Sequence, residues 1–268
     1  MRLLALPLLL ATIGAAPAAP KRIVSLNLCA DQYLLALADR GQIAALTQFA
    51  RDPAMSAAAA EARGVTLTRG GAEDVLALRP DLIIATSGRR QATMAQLRGR
   101  RIATLDLDPA NSYADIVRQT RAVAAAIGHP ARGEALVTAM DAALARIARD
   151  AGRGRVAAYY QRRGFLTGQG TLVDDLMRRV GLRNLATTLG KPALARIGLE
   201  ELALARPDYL IVEAATDRVA DQGVEMLHHP VLARIPRLRL PEAWTVCGGP
   251  AYVRAAMSLA RQVRAPRR

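Results

Sequence analysis

Two stretches of this chain are versions of each other. GAEDVLALRPDLIIA begins at Gly71 and GLEELALARPDYLIV at Gly198, 127 positions later. Gly71 matches Gly198, Glu73 matches Glu200, Pro80 matches Pro207 and Asp81 matches Asp208. Each copy reads as a short helix, a Pro-Asp turn and a buried apolar strand. Such a repeat predicts two related lobes, each with its own core.

The rest of the chain supplies the same grammar. KRIVSLN (21–27) reads as a strand, with Asp31 helping to start the helix behind it, and QIAALT supplies a second strand after Arg40-Gly41. DLIIAT (81–86) and RIATLDLD (101–108) follow, each after a helical pattern. Strands alternating with helices predict a layered α/β lobe with a parallel sheet. The pattern turns helical over 113–127 and stops at Gly128-His129-Pro130. A second helix over 131–152 carries Leu136, Met140, Leu144 and Ile147 on one stripe, and strands resume with RVAAYY. The expected organisation is an N-terminal α/β lobe (20–130), a linking helix (131–152) of roughly 30 Å and a C-terminal α/β lobe (153–268).

The first residues, MRLLALPLLLATIGAAPAAP, read as a secretory signal peptide over 1–19, with an A-x-A site at Ala16-Pro17-Ala18. Export to a bacterial periplasm follows, a compartment that permits disulfides. The net charge of +14 raises the question of a nucleic acid partner. Only Lys21 and Lys191 are lysines, the arginines are dispersed, and aromatics make up 3% of the chain, so stacking platforms are scarce. Together with export, that argues against nucleic acid.

A helix-turn-strand of the form E-x-(x)-L-A-x-x-P-D-L-I-I, once per lobe around a helical spacer, resembles the periplasmic substrate-binding proteins of ABC importers for vitamin B12 and iron chelates. The resemblance runs from Arg22 to about Gln262 and includes the C-terminal WTVCGGPAYVRAA, with Trp244 six residues before Pro250. It implies two parallel-sheet lobes joined by one long rigid helix, a ligand cleft between them, no catalysis and no cofactor. It further implies a monomer that delivers a ferric siderophore, haem or corrinoid to an inner-membrane permease. Loops at the carboxyl ends of strands form the crevice of such sheets. By position these are 27–29, 48–52, 87–90, 160–165 and 244–249. The candidate ligand contacts there are Asn27, Cys29, Phe49, Arg51, Ser87, Arg89, Tyr160 (or Tyr159), Arg162, Phe165, Trp244 and Cys247. Aromatics beside arginines suit a broad, partly apolar ligand with anionic groups. The resemblance also gives Glu73 and Glu200 a role, one on each lobe, docking against permease arginines. Their bland reading is a carboxylate in the first turn of a helix.

The cysteine pair leaves three readings open: small apolar wall residues, thiolate contacts to a chelated metal, or a disulfide, which would tie the lobes together. Opening and closing of the cleft argues against a permanent tie. A bare metal ion would need about three His or carboxylate ligands, and the expected cleft loops hold no histidine. No G-x-S-x-G, phosphate-binding loop or H-E-x-x-H occurs, and His129, His228 and His229 have no motif seating them beside a cysteine. The rival reading is an exported thiol-dependent enzyme or a metal or redox sensor built on the same fold.

Overall fold

The computed structural model describes residues 18–86, 91–219 and 221–264. The expected leader (1–19) falls almost wholly outside these residues, as do Ser87 and Arg89. The first half builds a five-stranded sheet from β1 (Ile23–Ser25), β2 (Ile43–Thr47), β3 (Leu67–Thr68), β4 (Leu82–Ala85) and β5 (Ala103–Asp106). The strand order is β3-β2-β1-β4-β5, and every pairing is parallel. Helices α1 (Leu28–Leu37), α2 (Ala72–Ala77) and α3 (Gln91–Leu97) connect these strands. All four residues of β4 are buried, as a parallel strand covered on both faces requires. The order reverses at β1, so the crevice of this sheet opens at the carboxyl ends of β1 and its neighbours.

Two helices follow, α4 (Tyr113–Ala126) and α5 (Pro130–Ala145). They fold back on each other, and Gly133 lies so near Ala124 that an added Cβ would sit 2.6 Å from the alanine Cβ. Ile116, early in α4, belongs to the core of the second half, whereas Val123 and Ala124 belong to that of the first. Helix α4 therefore crosses between the cores, with α5 beside it. The 131–152 pattern yields a shorter helix than expected. The helix ends at Ala145, but Ile147 still joins Met140 and Leu144 of the expected stripe in the second core, together with Ala151.

The second half contains β6 (Val156–Gln161), β7 (Phe165–Thr167), β8 (Arg183–Asn184), β9 (Leu194–Arg196), β10 (Tyr209–Glu213) and β11 (Arg237–Leu240). Its principal helices are α6 (Leu172–Arg179), α7 (Leu185–Thr188), α8 (Leu199–Ala205), α9 (Gln222–Glu225) and α10 (Tyr252–Arg264). The strand order is β11-β10-β6-β7-β9, with β8 also paired to β6. This sheet is mixed, not parallel as expected: β7 runs antiparallel to both β6 and β9. The turn at 162–164, with Arg163 and Gly164 both at positive φ, reverses the chain directly into β7 and leaves no room for a crossover helix.

The repeat has a structural cause. In both copies the Asp of the Pro-Asp turn ties the start of its strand to the start of the central strand. Asp81 accepts from the N–H groups of Lys21 and Arg22, and Asp208 accepts from that of Val156 at 2.9 Å. The preceding residues, Arg79 and Arg206, adopt matching left-handed backbones, φ 47° and 45°. Each is a conformation costing an L-residue about 1 kcal/mol or more, held by the turn around it. Much of the arginine content serves as loop ties. Arg22 donates to the Leu78 carbonyl, Arg40 to those of Glu61 and Arg63, and Arg183 to that of Gly154.

Asp31 on α1 is fully buried, and its carboxylate accepts from the backbone N–H and the hydroxyl of Thr47. Burial outweighs these bonds and raises its pKa from 3.8 to about 6. The folded state thus holds this proton more tightly than the unfolded one. Its stabilising contribution is complete below about pH 4 and disappears as pH rises through 6. At about 1.4 kcal/mol per unit, the difference between acid and pH 8 is on the order of 3 kcal/mol. Asp31→Asn is expected to flatten the stability profile between pH 4 and 8 and to raise stability at pH 8 by about 2 kcal/mol, read by urea unfolding at each pH. An undiminished pH slope would refute the assignment.

Candidate functional site

The two halves meet at the carboxyl edges of their sheets. The segment after β11 reaches across to the first half and is fixed there at several points. Cys247 forms a disulfide with Cys29, at the start of α1, with Cα atoms 5.3 Å apart. The Tyr33 hydroxyl donates to the Gly248 carbonyl at 3.0 Å. An added Cβ at Gly248 would lie 2.4 Å from the Ala110 side chain, so only glycine permits this approach. Arg254 donates to the Ala57 carbonyl at 2.7 Å and lies 5.8 Å from the centre of the Trp244 ring.

The disulfide corrects the expectation of metal-binding thiolates: both sulfurs are consumed, and among the described residues no cysteine is free. Tyr33 touches both the Gly248 and Ile116 carbonyls, so the bridge lies beside the crossing helix α4. A tie beside that helix restrains the two halves near their connection, which removes the objection that it must seal the rim.

The other expected contacts separate into groups. Phe49 and Arg51 lie in the turn after β2, where Phe49 is 43% exposed. Arg51 is engaged, donating to the Ala62 and Val65 carbonyls. Asn27 caps α1, its side-chain oxygen taking the N–H groups of Cys29 and Ala30. Trp244 and Phe165 are half-buried, and the Arg196 guanidinium lies 5.5 Å from the Phe165 ring centre. Tyr160 is not a wall residue: it is wholly buried and donates to the Ile197 carbonyl at 3.2 Å. Strand alternation sends its neighbour Tyr159 to the opposite face. Arg162 is paired with Asp221. Arg51 and Arg162 are therefore both engaged within the protein.

In their place the second half presents acceptors. Glu213 ends β10, and its Oε1 accepts from the Tyr159 hydroxyl at 3.3 Å and the Gln161 side-chain amide at 3.1 Å. Gln161 is in turn held by the Thr167 hydroxyl at 3.1 Å. Glu242 follows β11, and its pKa is raised by burial, then by the charge of Glu213, with Arg162 opposing and Asp52 of the first half adding to the rise. Burial, with Glu213 beside it, pushes the Tyr159 phenol well above its usual range, so it stays a protonated donor.

Tyr159 was the alternative to Tyr160 in the sequence, whereas Glu213 and Glu242 were not picked out as polar wall groups, yet a signal existed. In the repeat Glu213 stands where the first copy has Thr86, and both close a buried strand at its carboxyl end. The Thr86 hydroxyl is buried with no hydrogen-bond partner among the described residues. No group of three or more His, Cys, Asp or Glu able to hold a bare metal ion occurs among the described residues. A 390 Å³ pocket lined by Gln169, Asp174, Arg178, Asn184 and Thr187 is formed entirely within the second half and so lies apart from this junction.

Glu73 and Glu200 occupy the second positions of α2 and α8, each after a glycine cap, and both are exposed. Among the described residues no helix is long and apolar enough to cross a membrane.

Residues 23–239 match the family described as periplasmic binding protein. A cobalamin-binding protein of Halobacterium salinarum is 27% identical over 210 residues, covering 75% of this chain and 56% of its own length. The chain thus spans little more than half of that curated relative. Among solved structures, the apo form of the periplasmic heme-binding protein RhuT from Roseiflexus sp. RS-1 has a TM-score of 0.73 at 25% identity, covering 91% of this chain and 98% of that one. A solute-binding protein from Staphylococcus epidermidis ATCC 12228, described as possibly iron-binding, has a TM-score of 0.75 with 92% and 100% coverage; at 13% identity it speaks to the fold alone.

Proposed function

The chain belongs to the periplasmic binding protein family, and from that premise we propose that it captures a metal chelate or corrinoid between its two halves and delivers it to an ABC permease. The family and the relatives named above are binding proteins, not enzymes. The observation that supports the reading is the contact between strand-end segments of the two sheets. The segment after β11 meets the start of α1, just after β1, through Cys29–Cys247 and the Tyr33–Gly248 hydrogen bond, and α4 contributes to both cores. On this reading the strand-end loops of the two halves form a ligand cleft with fixed polar groups and half-buried aromatic surface from Trp244 and Phe165.

On this proposal the protein works as an exported monomer in the periplasm. Residues 20–130 and 153–268 act as the two lobes, and the helical segment within 131–152 joins them. Phe49, Trp244 and Phe165 supply apolar wall, and Glu73 and Glu200 meet the permease. Thiol chemistry has no support, because the two cysteines are bonded to each other. The test is calorimetric titration of the mature protein with haemin, cyanocobalamin, cobinamide and ferric siderophores. One-to-one saturable binding of a member of this set is expected, and absence of binding across the set would overturn the reading.

A further inference from the structure

We propose that Glu213 and Glu242 set the charge specificity of the cleft, selecting ligands that present N–H donors or positive charge to the second half and rejecting those that present carboxylates. This rests on the cleft being the ligand site and specifies what it accepts.

Three observations converge. Glu213 is held in place, since Oε1 takes hydrogen bonds from Tyr159 and Gln161, and Gln161 is itself fixed by Thr167. A carboxylate oxygen has more than one acceptor site, and no hydrogen bond to Oε2 is present among the described residues. Its acceptor capacity is therefore directed and unspent. Glu242 stands two residues beyond Leu240, the β11 partner of Glu213 in the sheet register, so the two carboxylates lie at the same end of the sheet. The cation acting on Glu242 is Arg162, and Asp221 already pairs with it. Arg196 and Arg254 lie against the Phe165 and Trp244 rings and Arg162 is neutralised by Asp221, whereas Glu213 and Glu242, at the ends of β10 and β11, form no ion pair among the described residues.

The consequence for ligand choice follows from like-charge repulsion. At an effective dielectric of about 20, a ligand carboxylate roughly 5 Å from either glutamate is disfavoured by well over tenfold in affinity. A carboxamide or ammonium in the same place gains charge-assisted hydrogen bonds. Selection by a built-in repulsive element is an efficient route to specificity. Of the groups that hold a haem iron, imidazole, thiolate, thioether or phenolate, the wall offers no free thiolate, since both thiols are in the disulfide, and Tyr159 is held as a protonated donor. The histidines are engaged elsewhere: His129 with Gln42, His228 with the Thr216 carbonyl, and His229 with the Val231 N–H.

The test uses the mature, disulfide-bonded protein and two probes with the same corrin ring and cobalt: cobinamide, whose periphery is carboxamide, and cobyrinic acid, whose periphery is carboxylate. Haemin is the third probe. Affinities are measured calorimetrically for wild type, for Glu213→Gln with Glu242→Gln, and for Glu242→Arg alone. The wild type is expected to bind cobinamide at least about tenfold more tightly than cobyrinic acid or haemin. The double variant should erase most of that ratio by gaining affinity for the acid. Glu242→Arg, which leaves the Glu213 hydrogen bonds untouched, should move the ratio the same way. Equal binding of both corrinoids by the wild type, or preference for haemin, would overturn the assignment while the cleft reading stands. A ratio unchanged in both variants would do the same. Failure of all three probes and of the siderophores would remove the proposed function and this inference with it.

Discussion

Replacing Cys29 and Cys247 together by serine is expected to remove up to about 5 kcal/mol of stability. The bridge closes a segment of 218 residues, and the chain-entropy cost of so long a loop in the unfolded state sets that figure. Measured bridges more often return 2–4 kcal/mol, still a large share of the 5–15 kcal/mol that holds a typical domain. The melting temperature should fall by roughly 10 °C. The bridge also couples two cores that otherwise share α4 and the 244–254 segment. Without it, thermal unfolding should broaden or divide into two transitions as the cores melt separately. The wild type treated with a strong reductant should converge on the serine variant. A loss under 1 kcal/mol, with one sharp transition retained, would mean that the non-covalent contacts at Gly248 and Arg254 already fix the two halves.

The second large effect concerns transport. Replacing Glu73 and Glu200 together by alanine is expected to abolish permease-dependent uptake in reconstituted vesicles and to leave ligand affinity within about twofold. Both carboxylates are exposed, each at the same position of a repeat-related helix. Their local effect as first-turn acids is about 0.3–1 kcal/mol each, too little to unfold the protein. Asp74 and Glu201 occupy the next positions and keep a negative charge in each first turn. Full uptake by the double variant would refute docking through this pair, and a large loss of affinity would refute its separation from the ligand site.

The fold was legible where local chemistry and long-range contact agree. The Pro-Asp turn announced itself because its job is local: it reverses the chain, and its carboxylate ties down the start of the neighbouring strand. The buried strands LIIA and YLIV followed from apolar runs bounded by turns. The antiparallel β7 was missed because Arg163 supplies the left-handed backbone of a tight reversal, a conformation that arginine does not advertise. The disulfide was one of three open readings, since pairing depends on a Cα separation that no spacing encodes. Gly248 was the nearest clue, conspicuous beside Cys247 but meaningful only against Ala110. Tyr159 and Tyr160 show the limit on site residues. Adjacent strand positions face opposite ways, and a register known only to within one residue cannot say which tyrosine hydroxyl reaches Glu213; both rings are buried, on opposite faces of the strand. The arginines misled for a different reason. Composition suggested anion recognition, whereas Arg51 and Arg162 are spent on loop carbonyls and on Asp221.

The most direct test of the central claim, that ligand is held between the two halves, uses the single tryptophan. Trp244 is half-buried in the segment that follows β11 and crosses toward the first half. Its emission, corrected for absorption by the ligand, is to be followed through the titration that calorimetry shows to saturate. Quenching that saturates at the same one-to-one equivalence point is the expected result. A ligand that binds by calorimetry yet leaves Trp244 emission unchanged would place binding away from the cleft and contradict the account.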